Sequence, residues 1–340
     1  MCRLLSFCAV LLPVEVFVFF PSIVCNPFFV ADTFRFSLST TNTTIIHSRE
    51  WKRTVICNAR GKGLGDVLQN ILLFATDQAT HDLAQKMGIT SVFIESIFGT
   101  MPEMAARRYG DKVFEQMMAA KVYCVQMVSM LGHDVLFQDV DVVWYKNPLE
   151  WFHDKSNPHY NFDMYFQDDG NHALFYAPYS ANTGFYYVRH NDRTRYFFTS
   201  LLAAGDRIIS TNSHQIALIA VLSEHASIHG LKVKTWKANL PEFPGGHTFH
   251  SKRQNAFMKE LVAGRAKDTH IFHMSWTSSK VNKVKFFEQM GEWYLDKKCG
   301  SGGLDCCAAE PIVTCHYRDK PSKIPCKDSP PIDKNGISFW

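Results

Sequence analysis

The 340-residue chain predicts an α/β protein with a mostly parallel sheet flanked by helices. Three observations carry that expectation. From about residue 51, strand-like runs alternate with segments of helical period. Two of the predicted strands exit into residues suited to ligand chemistry, glycines after one and aspartates after the other. The composition is that of a folded core, 46% hydrophobic and 14% aromatic with only 20% charged residues.

Taken in order, "RTVIC" (53–57) reads as a strand and "GKGLG" (61–65) as a glycine-rich turn. Residues 66–88 then read as an amphipathic helix ended by glycine. "TSVFIE" (90–95) is a second strand, and residues 111–132 are a second long helix with Phe114, Met118, Val122, Val125, Val128 and Leu131 at helical spacing. "HDVLFQDVDVVW" (133–144) supplies the next strand. This β-α-β-α-β order implies parallel pairing through right-handed crossovers. Strands "FDMYFQ" and "GFYYVRH", helices near 192–204 and 214–224, strands "LKVKTW" and "THIFHM", and a helix near 279–295 follow. With no internal repeat or interior linker, residues 51–298 form one catalytic-size domain.

The ends differ from this middle. Residues 1–30 are almost continuously apolar behind the single cation Arg3, and at ~1.5 Å per residue they are long enough for ~30 Å of hydrocarbon. Pro13, Glu15 and Pro21 interrupt the run. A signal-anchor that ties the chain to a membrane, a cleaved signal peptide and a buried segment all remain open. Residues 31–50 suit a short polar stem, in which Asn42-Thr43-Thr44 is a glycosylation acceptor triplet in a lumenal compartment. Residues 299–340 form a cysteine-rich tail with Cys299, Cys306, Cys307, Cys315 and Cys326. A disulfide-stapled tail is favoured over a zinc site using His316, with Cys57 or Cys124 keeping its thiol. Net charge is +4 with no block of basic residues, which argues against a nucleic-acid partner.

The chemistry starts at Asp139 and Asp141. In an extended chain, residues two apart face the same side, so the strand's exit presents two carboxylates together. They repel, and a hard divalent cation such as Mg²⁺ or Mn²⁺ relieves that cost. A metal held by few protein ligands keeps positions open for phosphate oxygens. Gly61, Gly63 and Gly65 read either as a second feature of the same sheet edge or as a plain tight connection. A methyltransferase, and a metal-dependent phosphoesterase using Asp139, Asp141 and Asp163, share parts of this pattern.

The blocks "VLFQDVDVVWYKNPLEWF", "ANTGFYYVRHNDRT" and "HMSWTSSKVNKVKFFEQMGEWYL" resemble the nucleotide-diphospho-sugar transferase family that includes plant rhamnogalacturonan α-xylosyltransferases and related arabinosyltransferases. The resemblance spans most of 53–295. It implies a GT-A (Rossmann-like) fold, a donor that is usually UDP-linked, a glycan or glycoprotein acceptor, Mn²⁺ or Mg²⁺, and retention of configuration. It also implies a Golgi membrane location with single-pass type II topology; secretion is the alternative. Carried over by position, Asp141 ligates the metal, Asp139 contacts the ribose or the metal, and His273 is the third ligand. Lys283 or Lys280 grips the diphosphate, and Lys121 with Gly63 and Gly65 stands near the nucleotide. Asn182, Gly184 and Asp168 contact the donor sugar, and Asp168 or Asp169 is the catalytic carboxylate if one is used. Each also has a plain structural reading: a core histidine, a solvated lysine face, an internal ion pair, a charged turn. One departure stands out. Relatives usually carry Asp-Gln where this chain has His214-Gln215, which leaves open a sugar-nucleotide-binding protein without turnover.

Overall fold

The computed structural model describes residues 9–11, 17–19, 42–46, 49–75, 77–94, 112–237, 240–247, 255–277, 280–296, 307–315 and 320–322. The chain divides into two compact units, Met1–Thr41 and Asn42–Trp340. In the first, strands β1 (Ala9–Leu11) and β2 (Phe17–Phe19) pair antiparallel. The rest of the expected anchor lies outside the described residues. Among the described residues, no helix is long and apolar enough to cross a membrane.

The second unit is built on one seven-stranded sheet. Its strands are β3 (Asn42–Ile46), β4 (Ile71–Phe74), β5 (Thr90–Val92), β6 (Asp134–Gln138), β8 (Met164–Asp168), β9 (Ala181–Val188) and β10 (Val233–Thr235). They lie side by side in the order β10-β8-β9-β6-β3-β4-β5. Every neighbouring pair is parallel except those made by β9, which runs against both β6 and β8. Strand order reverses between β3 and β6, and in open α/β sheets ligands bind beyond the carboxyl ends at such a switch point.

Alternating side chains divide the core between the two faces. Val135 and Phe137 of β6, Met164 and Phe166 of β8, and Tyr186 and Val188 of β9 pack with helices α3 (Lys112–Met130), α5 (Asp192–Ala203), α6 (Gly205–Thr211) and α7 (His214–Ile228). Their neighbours Leu136, Tyr165, Phe185 and Tyr187 point the other way, against α1 (Arg49–Gly61), α2 (Gln78–Lys86) and α4 (Pro148–His153). A strand buried on both faces therefore reads as continuous apolar sequence. A second, two-stranded sheet pairs β7 (Val142–Trp144) antiparallel with β11 (Ile271–His273). Helices α8 (Asn255–Val262) and α9 (Lys280–Met290) cover it through Met258, Leu261, Phe286, Phe287 and Met290.

The expected strand 133–144 breaks at a turn over 139–141 into β6 and β7, which lie in different sheets. The two aspartates are thus brought together by a turn and not by an extended backbone. The later strands form where predicted, and three earlier expectations change. Asn42–Ile46, read as part of a stem, is the strand between β4 and β6. Its threonines and isoleucines are all β-branched, which suits a strand even where the residue is polar. The backbone of the Asn42 triplet is thus paired inside a sheet, not displayed on a loop. "RTVIC" lies in helix α1, because Val55, Ile56 and Ala59 form one buried helical face. Ile71–Phe74, read as helix, is a fully buried strand.

The cysteine expectation also changes. Cys57, expected as a candidate free thiol, is bonded to Cys307, so this staple joins the tail to α1. Cys299, Cys306, Cys326 and the side chain of Cys315 lie outside the described residues. Cys124 is the buried thiol.

Candidate active site

Strand β6 ends at Gln138, and the chain turns so that Asp139 and Asp141 stand at the carboxyl edge of the sheet. Three interactions fix the turn. The Asp139 amide donates to the Gly184 carbonyl (2.6 Å), the Met274 amide donates to the Asp141 carbonyl (2.9 Å), and His273 lies opposite Val142 in the β11–β7 register. A histidine 132 positions away from Asp141 is thereby set beside it, with Nε2 3.5 Å from the Asp141 carboxylate. Ligand atoms of Asp139, Asp141 and His273 all lie within 4.8 Å of one another.

The orientation of His273 is also determined. Gln167 donates its amide nitrogen to the Phe243 carbonyl (2.8 Å), which leaves its oxygen to accept from His273 Nδ1 (2.7 Å). Nδ1 therefore carries a proton, and Nε2 faces Asp141. An outer partner that holds the tautomer is what a ligating histidine requires. Gln167 reaches this position because the β8–β9 register shifts between Phe166 and Gln167, pairing Gln167 with Asn182.

Each aspartate has a lysine. Lys121, buried in α3, holds Asp139 at 2.5 Å, and Lys283 of α9 hydrogen-bonds Asp141. Burial pushes the Asp141 carboxyl up, but the Lys283 ammonium beside it outweighs this and holds it well below the usual carboxylate range. Two carboxylates and two ammonium groups nearly cancel. Two carboxylates plus an imidazole, within a span close to the ~4.2 Å diameter of a hard-ion shell, fit a divalent cation.

The remaining predicted residues separate into two groups. Gly184 lies among the ligands: a Cβ there would meet His273 Cε1 at 2.5 Å and Asp139 Oδ2 at 3.0 Å. Its amide donates to Asn182 Oδ1 (2.7 Å), and Asn182 donates to the buried Asp169 carboxylate (2.7 Å). Asp169 is thus coupled to the site. Asp168 instead shapes its loop, accepting from the Gly170 amide and the Ser180 hydroxyl.

Gly63 and Gly65 stand elsewhere. Gly63 ends α1 in a left-handed conformation (φ +73°), and both precede the amino end of β4 rather than follow the carboxyl end of a strand. Asp163 precedes β8 at the opposite edge and is tied up by Arg193, Asn191 and the Lys232 amide. It is thus unavailable as the third carboxylate of a phosphoesterase. Lys280 opens α9, with its side chain outside the described residues. His214 is buried at the start of α7 with neither ring nitrogen hydrogen-bonded. Burial, then the Lys121 ammonium, push its pKa well below the ordinary value, so the ring is neutral. Sequence reasoning misses Gln167, whose only local signal is an amide near the end of a largely apolar strand.

The model of the nucleotide-diphospho-sugar transferase family matches residues 66–287. The chain belongs to this family. It is similar to the β-arabinofuranosyltransferase RAY1 of Arabidopsis thaliana, 23% identical over 72% of this chain and 48% of that protein. It is also similar to the UDP-galactose:fucoside α-3-galactosyltransferase of Dictyostelium discoideum, 32% identical over 26% of this chain and 13% of the other. The chain therefore spans about half the first relative and less of the second. Among solved structures, it is similar to the galactosyltransferase LgtC with donor and acceptor sugar analogues (10% identity, 78% of this chain, 92% of the other, TM-score 0.43). Mouse xyloside xylosyltransferase 1 superposes with a TM-score of 0.42 (9% identity, 71% of this chain, 100% of the other). The strand order, not these partial superpositions, defines the fold, and it agrees with the GT-A architecture that the family resemblance implies.

Proposed function

We propose that this protein is a metal-dependent glycosyltransferase that moves a sugar from a nucleotide-diphosphate donor to a glycan hydroxyl with retention of configuration. The observation that carries the reading is the convergence of Asp139, Asp141 and His273 at the switch-point edge, with Lys121 and Lys283 on the two carboxylates. A bound Mn²⁺ or Mg²⁺ would neutralise charge developing on the diphosphate leaving group. The chain's own residues do the rest. Gln167 holds His273 with Nε2 turned toward Asp141, Lys283 keeps Asp141 ionised, and Lys121 pairs with Asp139. Gly184 lets the backbone approach the ligand set with no side chain in the way.

In the transfer, the bond from the sugar's anomeric carbon to the diphosphate oxygen breaks and a bond to the acceptor oxygen forms. The acceptor's proton leaves with the diphosphate. Retention without a dedicated base is supported by the state of the carboxylates: Asp139 and Asp141 are paired with lysines, and Asp169 accepts from Asn182. Catalysis then rests on positioning and electrostatics. A pentose donor is supported by the likeness to RAY1. A lumenal site of action, with the apolar leader as anchor or signal, is supported by the Cys57–Cys307 disulfide.

The test is to incubate the full chain with a panel of sugar nucleotides, with and without Mn²⁺, and to follow nucleoside diphosphate release. Asp141→Ala should abolish metal-dependent release, a loss of several kcal/mol of transition-state stabilisation, while circular dichroism stays unchanged. Release that persists in Asp141→Ala, or that ignores metal, refutes the assignment.

A further inference from the structure

Trp276 is placed against the logic of burial. Its neighbours Met274, Ser275 and Thr277 are buried, yet the indole between them is 47% exposed. Its backbone is left-handed (φ +61°), a conformation that bulky residues rarely hold. The surroundings enforce it. The indole N–H donates to the Asp169 carbonyl (2.9 Å), the His247 ring lies edge-on at 4.5 Å, and the Gly246 amide donates to the Ser275 hydroxyl (3.0 Å). A Cβ on Gly246 would meet the Ser275 carbonyl at 1.9 Å, so the two loops touch backbone to backbone. A large ring is thus pinned in water by a strained main chain and a fixed hydrogen bond.

Its position gives the ring a use. A contact chain runs from His273 through Gly184, Asn182 and Asp169 to Trp276, and Trp276 is its most exposed member. We propose that Trp276 is a stacking platform for a neutral pyranose of the acceptor glycan, holding it at the outer rim of the transfer site. A pyranose offers a face of C–H groups that suits a flat aromatic ring, and an indole fixed by its N–H loses little freedom on binding. This inference rests on the glycosyltransferase reading but is tested without turnover.

The probes are methyl β-glycopyranosides of glucose, galactose and xylose, followed by saturation-transfer NMR on the full chain. UDP binding with Mn²⁺ is measured separately by calorimetry. At least one glycoside should receive saturation on its ring C–H protons. Trp276→Asn, a residue that tolerates the left-handed backbone, should weaken that binding roughly tenfold and leave UDP affinity unchanged. Trp276→Phe, which keeps a ring but loses the N–H, should stay within a few-fold of wild type. The proposal is overturned if no glycoside binds the wild type, or if Trp276→Asn binds as wild type does. It is also overturned if Phe loses as much as Asn, which would leave only an anchor for Asp169, or if UDP affinity falls in parallel, which would put the ring on the donor side. Failure of UDP to bind the wild type counts against the glycosyltransferase reading and leaves the glycoside result standing.

Discussion

Replacing Gly184 by alanine adds one methyl group at the centre of the ligand set. The new Cβ would stand 2.5 Å from His273 Cε1 and 3.0 Å from both Asn182 Oδ1 and Asp139 Oδ2. Unstrained carbon–carbon contact begins near ~3.5 Å, so the imidazole must retreat by about 1 Å. It has little room to do so, because Gln167 holds its far side and β11 is paired with β7. A misplacement of ~1 Å at a catalytic group costs about 10²-fold in rate. Overpacking itself costs roughly 1–3 kcal/mol of stability, which in a chain of this size lowers Tm by about 2–4 °C per kcal/mol. Expected, therefore, are a folded protein with a Tm several degrees lower, a turnover near 1% of wild type and a raised Mn²⁺ requirement. The assay is nucleoside diphosphate release against Mn²⁺ concentration, with thermal melts on the same samples. A Gly184→Ala enzyme with wild-type rate and metal activation would refute the placement of His273 and Asp139 around this glycine.

Gly65→Ala is the matching control: nothing lies within 4 Å of the added carbon, and donor affinity should not change. Gln167→Leu removes the acceptor that holds His273 Nδ1, and Mn²⁺ affinity by calorimetry should fall about 10- to 100-fold while the fold survives. Asp163 gives a pH prediction. Burial raises its pKa, but hydrogen bonds from Arg193, the Lys232 amide and Asn191 outweigh this and leave it below the ordinary value. A depressed folded pKa stabilises above the unfolded value of ~3.9 and is lost as pH falls through the folded one. Asp163→Asn should thus cost roughly 1.5–3 kcal/mol near pH 7, and denaturant melts of the two proteins should converge as the pH drops below ~3.9. Cys307→Ser should lower stability by about 2–4 kcal/mol, and a thiol titration of the unfolded variant should gain one reactive group.

Much of the sheet was legible in the sequence because its signals are local. The long apolar helix before "DVLFQ", the apolar runs within 162–190 and the aspartate pair at a strand exit depend only on residues a few positions apart. Local reading failed where a short apolar run fits two periods, as in "RTVIC", and where a strand is polar, as in Asn42–Ile46. The site was legible by residue type but not by arrangement. Asp139, Asp141 and His273 stand in separate motif blocks, and only the β11–β7 register brings the histidine to the aspartates. The sequence by itself determined which groups are present and which strand end carries the charge. Tertiary structure alone decided that Gly63 caps a helix far from that edge, that Asp168 braces a loop while Asp169 joins the site, and that Gln167 sets the His273 tautomer. Those roles depend on contacts between residues up to more than a hundred positions apart. No local pattern encodes such contacts, because packing of the whole sheet brings them together.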